Sequence, residues 1–211
     1  MDIDRQNKIV SSVVLFFQIN EPQKAITLLE NELVVEPLNG CYLYHLGCAY
    51  RRADRNTDAL EALTKALGTD FEKDVVYYQL GLVFQCLNEN SKAAHALRLS
   101  IDHNPNNLMA YNSLAIIYRK TGSLKLAIEL YEKARSIAKS NASERSDGIT
   151  NKSNLKKSLH YSALCCNEAR TQLEIGNKDM AIALLKESIE HIPAGDSYED
   201  PYLALEELGE Y

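Results

Sequence analysis

Positive charge is in short supply. Lys and Arg number 23 against 29 Asp and Glu, a net charge of −6 over 211 residues. A nucleic-acid binder must bring cations to phosphates, so this balance argues against one. Long apolar runs are missing too. The most apolar stretch, IVSSVVLFFQI at 9–19, is far too short to span a bilayer, which predicts no membrane insertion. The opening MDIDRQNK has no basic region leading into a cleavable apolar segment, so no signal peptide is expected. Five cysteines, odd in number and without disulfide-like spacing, fit a reducing compartment, and a cytoplasmic protein is expected. Catalytic signatures are absent: no G-x-G-x-x-G, no G-x-x-x-x-G-K, no H-E-x-x-H, no G-x-S-x-G and no C-x-x-C occurs. An enzyme reading has no positive support, and no cofactor is expected.

What is present is periodic. Apolar content of 45% and charged content of 25% are ordinary for a globular chain. Within LYHLGCAY, residues 43–50, Gly47 interrupts a helical pattern at a cost of about 1 kcal/mol against alanine. A close approach by another helix is the usual compensation. The same Leu-Gly pair returns 34 residues later at Leu80–Gly81, and after another 34 it becomes Leu114–Ala115. Ala25, Ala59, Ala93 and Ala127 keep the step of 34. So do Leu29, Leu63, Leu97 and Tyr131, and the aromatic column Phe16, Tyr50, Phe84 and Tyr118. A fixed period of this length signals stacked helical repeats.

On these columns the chain resembles the tetratricopeptide repeat family, whose unit combines an aromatic, Leu-Gly, Tyr, Ala, a large apolar residue and Pro. Residues Tyr77, Leu80, Gly81, Phe84, Ala93, Leu97 and Pro105 fit that unit best. The first unit is weaker, with Ser12–Val13 in place of Leu-Gly. The resemblance implies an all-α, right-handed superhelix of about five helix-turn-helix repeats with a C-terminal capping helix. The repeats are expected near 6–39, 40–73, 74–107 and 108–139, with a fifth at 155–195. Each pairs a helix A with a helix B, and Gly47 and Gly81 on A are expected to meet the alanine columns on B.

The period breaks once. Ala127 to Ala181 and Gly122 to Gly176 are both 54 residues, so about 20 residues are inserted before the fifth repeat. SNASERSDGITNKSN, 140–154, has the composition of a surface loop. Asp200–Pro201 reads as a helix start, and residues 200–211 are expected to cap the stack. An acidic docking tail is the alternative for that segment, because 196–211 holds six acids and no Lys or Arg.

Two clusters carry chemistry worth weighing. Cys41, His45 and Cys48 share one helix face, but the ligand set is incomplete for a structural zinc site, so no metal is expected. The second cluster comes from the resemblance, which implies that helix A lines a concave groove where peptides lie. The inward positions are Tyr44, Tyr78 and Asn112; His45 and Gln79; Cys48, Leu82 and Ile116; and Arg51, Gln85 and Arg119. Val10, Val14 and Phe17 occupy them in the first repeat. Tyrosine gives rigid amphipathic contact and arginine takes carboxylates, so a peptide with apolar anchors and acidic character is the expected ligand. Tyr44, Tyr78, Cys48 and Leu82 replace the Lys and Asn set with which some relatives clamp a C-terminal carboxylate, so that co-chaperone role is not expected. The leading expectation is a non-enzymatic scaffold for a protein or peptide partner. A dedicated chaperone for secreted proteins and a module that self-assembles through its terminal helices are the alternatives.

Overall fold

The computed structural model describes residues 3–143, 152–192 and 199–210. Every regular element among them is an α-helix. The chain divides into two compact units, Met1–Pro105 and Asn106–Tyr211. The first holds α1 (Ile3–Gln18), α2 (Pro22–Val35), α3 (Gly40–Arg52), α4 (Asn56–Leu67), α5 (Lys73–Cys86) and α6 (Asn90–His103). The second holds α7 (Leu108–Lys120), α8 (Leu124–Ser143), α9 (Lys152–Glu174), α10 (Lys178–Glu190) and α11 (Asp200–Glu207).

Odd-numbered and even-numbered helices from α1 to α10 pair through one turn, repeated five times. Three residues separate the partners, and the middle one is left-handed: Asn20, Asp54 and Asn88 at φ 55°, 57° and 59°, then Gly122 and Gly176 at 80° and 83°. The amide just after each closes onto a carbonyl five residues back. These bonds run Glu21 to Phe16, Arg55 to Tyr50, Glu89 to Phe84, Ser123 to Tyr118 and Asn177 to Gln172, at 2.8–2.9 Å. This is the Schellman closure, and Gly, Asn and Asp are the residues that enter a left-handed conformation most cheaply. Asn39 and Asn107 start α3 and α7 by accepting from the amides of Tyr42 and Ala110.

The small columns are the packing seams. Ala25, Ala59, Ala93, Ala127 and Ala181 are all fully buried. Gly47 and Gly81 meet leucines rather than alanine side chains. A Cβ on Gly47 would stand 2.5 Å from Leu63 Cγ, and one on Gly81 2.7 Å from Leu97 Cγ. The alanines contribute backbone: the carbonyl oxygens of Ala59 and Ala93 come next, at 3.4 and 3.5 Å. Within the first unit each even helix also packs on the following odd one, and α1, α3 and α5 touch in sequence. Within the second unit α7 touches α9 in the same way.

Both ends of the polar stretch 140–154 are helical, since α8 reaches Ser143 and α9 begins at Lys152. The rest of the expected loop, 144–151, lies outside the described residues. Helix α11 packs on α10 and buries Leu205 with Cys166, Ala169, Ala181, Leu184 and Leu185. Arg170 pairs with Asp200 at 3.0 Å, and Lys178 donates to the Leu208 carbonyl at 3.3 Å. The acidic segment therefore turns in part to cations of its own unit.

Candidate functional site

Of the expected groove residues of the first unit, Tyr44, Cys48, Arg51, Tyr78 and Gln79 come together where α3 lies against α5. Tyr44 sits half-buried between His45 and Phe71, with ring centroids 5.1 and 5.2 Å away. Its hydroxyl engages Cys48 one turn along and Gln79 on α5, and Tyr78 lies close enough to act on it electrostatically. Arg51 Nε donates to Gln79 Oε1 at 3.2 Å. Leu82 and Gln85 follow on α5, both half-buried. In the first repeat Val14 is exposed and Val10 half-buried, while the Phe17 ring carries the Arg52 guanidinium 4.6 Å above it. Such a cation–π contact keeps the charge accessible on one face.

Burial pulls the His45 imidazole down to about 4, so it is neutral at physiological pH. Burial raises the Tyr44 hydroxyl and pushes the Cys48 thiol up to about 11. Cys48 is buried, so it supports Tyr44 from beneath and offers no surface of its own. Burial also raises Cys41, with Glu72 adding to the effect. A soft metal would need the thiolates that this environment disfavours. Among the described residues no group of three or more His, Cys, Asp or Glu is placed to hold a metal ion. At the C-terminal end of α3 the permanent charges are Arg51 and Arg52.

In the second unit the expected residues are tied to α9. Asn112 Oδ1 accepts from Asn167 Nδ2 at 3.0 Å. Arg119 Nη1 meets Glu174 Oε1 at 2.6 Å. Ile116 lies half-buried between them on α7. Here the arginine is neutralised within the unit, so its side chain already has the carboxylate that the sequence reading assigned to a ligand.

A second polar constellation was not anticipated. Glu168 on α9 is only 1% exposed, and Arg135 of α8 reaches it at 2.8 Å. Arg135 also meets Glu187 of α10 at 2.8 Å, and Glu187 takes Lys139 at 2.7 Å and the Tyr161 hydroxyl at 2.5 Å. Burial pushes the Glu168 carboxyl up to about 7 against the attraction of Arg135. Below it Ser162 and Ser188 share a hydrogen bond of 2.6 Å, and Cys166 Sγ lies 3.2 Å from Ser188. These groups clamp three helices together, and their buried ends are closed to a ligand. The signal was a lone acid in the otherwise uncharged run SALCCN-E-A of α9.

A separate apolar cleft lies between α5 and α6, lined by Tyr77, Leu80, Phe84, His95 and Leu99. Among the described residues no helix is long and apolar enough to cross a membrane.

The family profile for the tetratricopeptide repeat matches residues 13–73 and 78–142. No match is found among curated proteins. Solved structures are similar throughout. The crystal structure of MamA is 25% identical, with a TM-score of 0.65 over 90% of this chain and 95% of that one. YrrB, described as a TPR protein with an unusual peptide-binding site, is 18% identical, with a TM-score of 0.60 over 94% and 90%. TTC0263, a thermophilic TPR protein of Thermus thermophilus, is 16% identical, with a TM-score of 0.69 over 95% and 97%.

Proposed function

Because the chain belongs to the tetratricopeptide repeat family, whose helical stacks serve as protein-interaction scaffolds, we propose that it is a non-enzymatic module that takes a partner peptide on the face where α3 meets α5. The observation that carries this reading is the Arg51–Gln79 hydrogen bond across the two helices, with Tyr44 on the same Gln79 and Tyr78 near it. It holds a guanidinium next to amphipathic rings. Tyr and Arg are enriched among the residues that supply most of the binding energy at protein interfaces. Neutral His45 and buried Cys48 add no competing charge. None of the five cysteines is joined in a disulfide, which supports placing the protein in a reducing compartment such as the cytoplasm.

Selection from displayed random peptides, followed by amide hydrogen exchange on the complex, tests this reading. Protection gained on α3 and α5 supports it. Protection confined to the α5–α6 cleft or to α11 contradicts it.

Self-association is the second reading. Ile3, Val34, Val35 and Leu38 are 64–80% exposed around the start of α1 and the end of α2. Mass in solution separates a monomeric peptide binder from a dimer. The dedicated-chaperone reading rests on size and charge alone.

A further inference from the structure

We infer that the ligand of the α3–α5 face carries a carboxylate that seats on Arg51, in the way Glu174 seats on Arg119. This rests on the peptide-binding reading above and names the group that the peptide must bring.

The inference comes from one pair of positions. In each odd helix the turn has a left-handed residue, and positions can be counted back from it. Arg119 stands three residues before Gly122, and Glu174 stands two before Gly176. Across α7 and α9 this pair forms an ion pair of 2.6 Å. Phe17 stands three before Asn20, and Arg52 two before Asp54, and across α1 and α3 these also touch, as a cation–π contact of 4.6 Å. The two positions are therefore contact partners between adjacent odd helices in both units.

Across α3 and α5 the pair is Arg51 and Cys86. Cys86 is an exposed thiol where α9 offers the carboxylate of Glu174. Arg51 turns instead to the neutral Gln79 carbonyl through Nε, and among the described residues no carboxylate is placed on its Nη groups. Arg5, Arg55, Arg119, Arg135 and Arg170 each sit on a carboxylate of the chain. Arg51 and Arg52 meet a carbonyl and a ring. In a chain of net charge −6, two adjacent guanidiniums without acids mark a place for a carboxylate from outside. Tyr44, which reaches the same Gln79, gives a peptide an amphipathic ring to pack on. The carboxylate can be an Asp or Glu side chain or a chain end.

Three pools of random dodecapeptides distinguish the cases. One has a fixed central Glu and blocked ends, one has Gln there and blocked ends, and one has Gln there and a free C-terminus. Immobilised parent protein should retain the Glu pool, the free-end pool or both about tenfold better than the blocked Gln pool, the scale of one charge-assisted hydrogen bond. Arg51→Gln should erase the difference. So should Cys86→Glu, which supplies the missing acid at an exposed position, while blocked Gln retention and melting temperature stay as in the parent. Preference for the free-end pool alone assigns the carboxylate to the chain end. Equal retention of all pools overturns the inference and leaves peptide binding standing. Preferential retention that survives both substitutions also overturns it. Retention of no pool overturns the peptide-binding reading along with it.

Discussion

Leu97 of α6 packs directly on the backbone of Gly81 in α5: a Cβ added to Gly81 would lie 2.7 Å from Leu97 Cγ and 2.8 Å from its Cδ2. Leu97 is fully buried. The helix-propensity cost of the glycine is thus offset by a leucine packed directly on the backbone. Gly81→Leu should destabilise the chain by roughly 1–3 kcal/mol or more, since overpacking strains both helices. Gly81→Ala should also lower the melting temperature, although alanine is the better helix former. Combining it with Leu97→Ala should cost less than the two changes added separately, because the second makes room for the first. Strict additivity in chemical denaturation would show that the pair does not interact.

The turns allow a backbone test free of packing. Nothing lies within 4 Å of a Cβ built on Gly122, whose φ is 80°. Gly122→Ala should therefore cost about 1–2 kcal/mol from the left-handed conformation alone. Asn88→Gly, at φ 59°, should be close to neutral. Equal melting temperatures for Gly122→Ala and the parent would contradict the turn assignment.

The buried carboxylate predicts a pH dependence. Folding lifts Glu168 from 4.5 to about 7, chiefly by burial, with Arg135 pulling the other way and Glu132 and Glu187 adding repulsion. The folded chain thus keeps a proton that the unfolded chain releases. The stability this contributes is full below pH ~4.5 and is lost as pH rises through ~7. Against its own burial, hydrogen bonds from Lys139 and Tyr161 hold Glu187 below its ordinary value, and this acts in the opposite sense. A comparison with Glu168→Gln isolates the first effect. Relative to that variant, the parent should lose stability between about pH 5 and pH 8, on the order of 2 kcal/mol. A gap that is constant or grows in the parent's favour would show that Arg135 keeps Glu168 ionised throughout.

Much of this architecture was legible because packing seams recur at a fixed step. The alanine and leucine columns mark buried positions in both units, and Ala181 and Leu185 are buried as fully as their counterparts. Other features depend on neighbours that a single column does not reveal. Gly47 was expected to meet alanine side chains, yet its partner is Leu63, because the alanine one turn earlier presents its carbonyl. Asn20, Asp54 and Asn88 share a role with Gly122, but only the glycines look alike as letters. Cys48 occupies an inward position and is nevertheless covered, with Tyr44 hydrogen-bonded to it. Arg119 reads like Arg51 in sequence, and only the contact with Glu174 separates them. The Glu168–Arg135–Glu187 network joins three helices through pairs with no counterpart at the repeat step among the described residues, so periodicity carried no trace of it.

The most direct test of the account is the affinity of one display-selected peptide for the double variant Tyr44→Ala with Tyr78→Ala. Circular dichroism and melting confirm folding, and Leu82→Glu serves as a second probe of the same face if loss of the Tyr44 packing against Phe71 unfolds the first. The account predicts that affinity falls at least about tenfold in either variant, the scale of losing an interface anchor. Parent-like affinity in folded variants would contradict it. The contradiction would be complete if Leu99→Glu, in the α5–α6 cleft, or neutralisation of Glu206, Glu207 and Glu210 abolished binding instead.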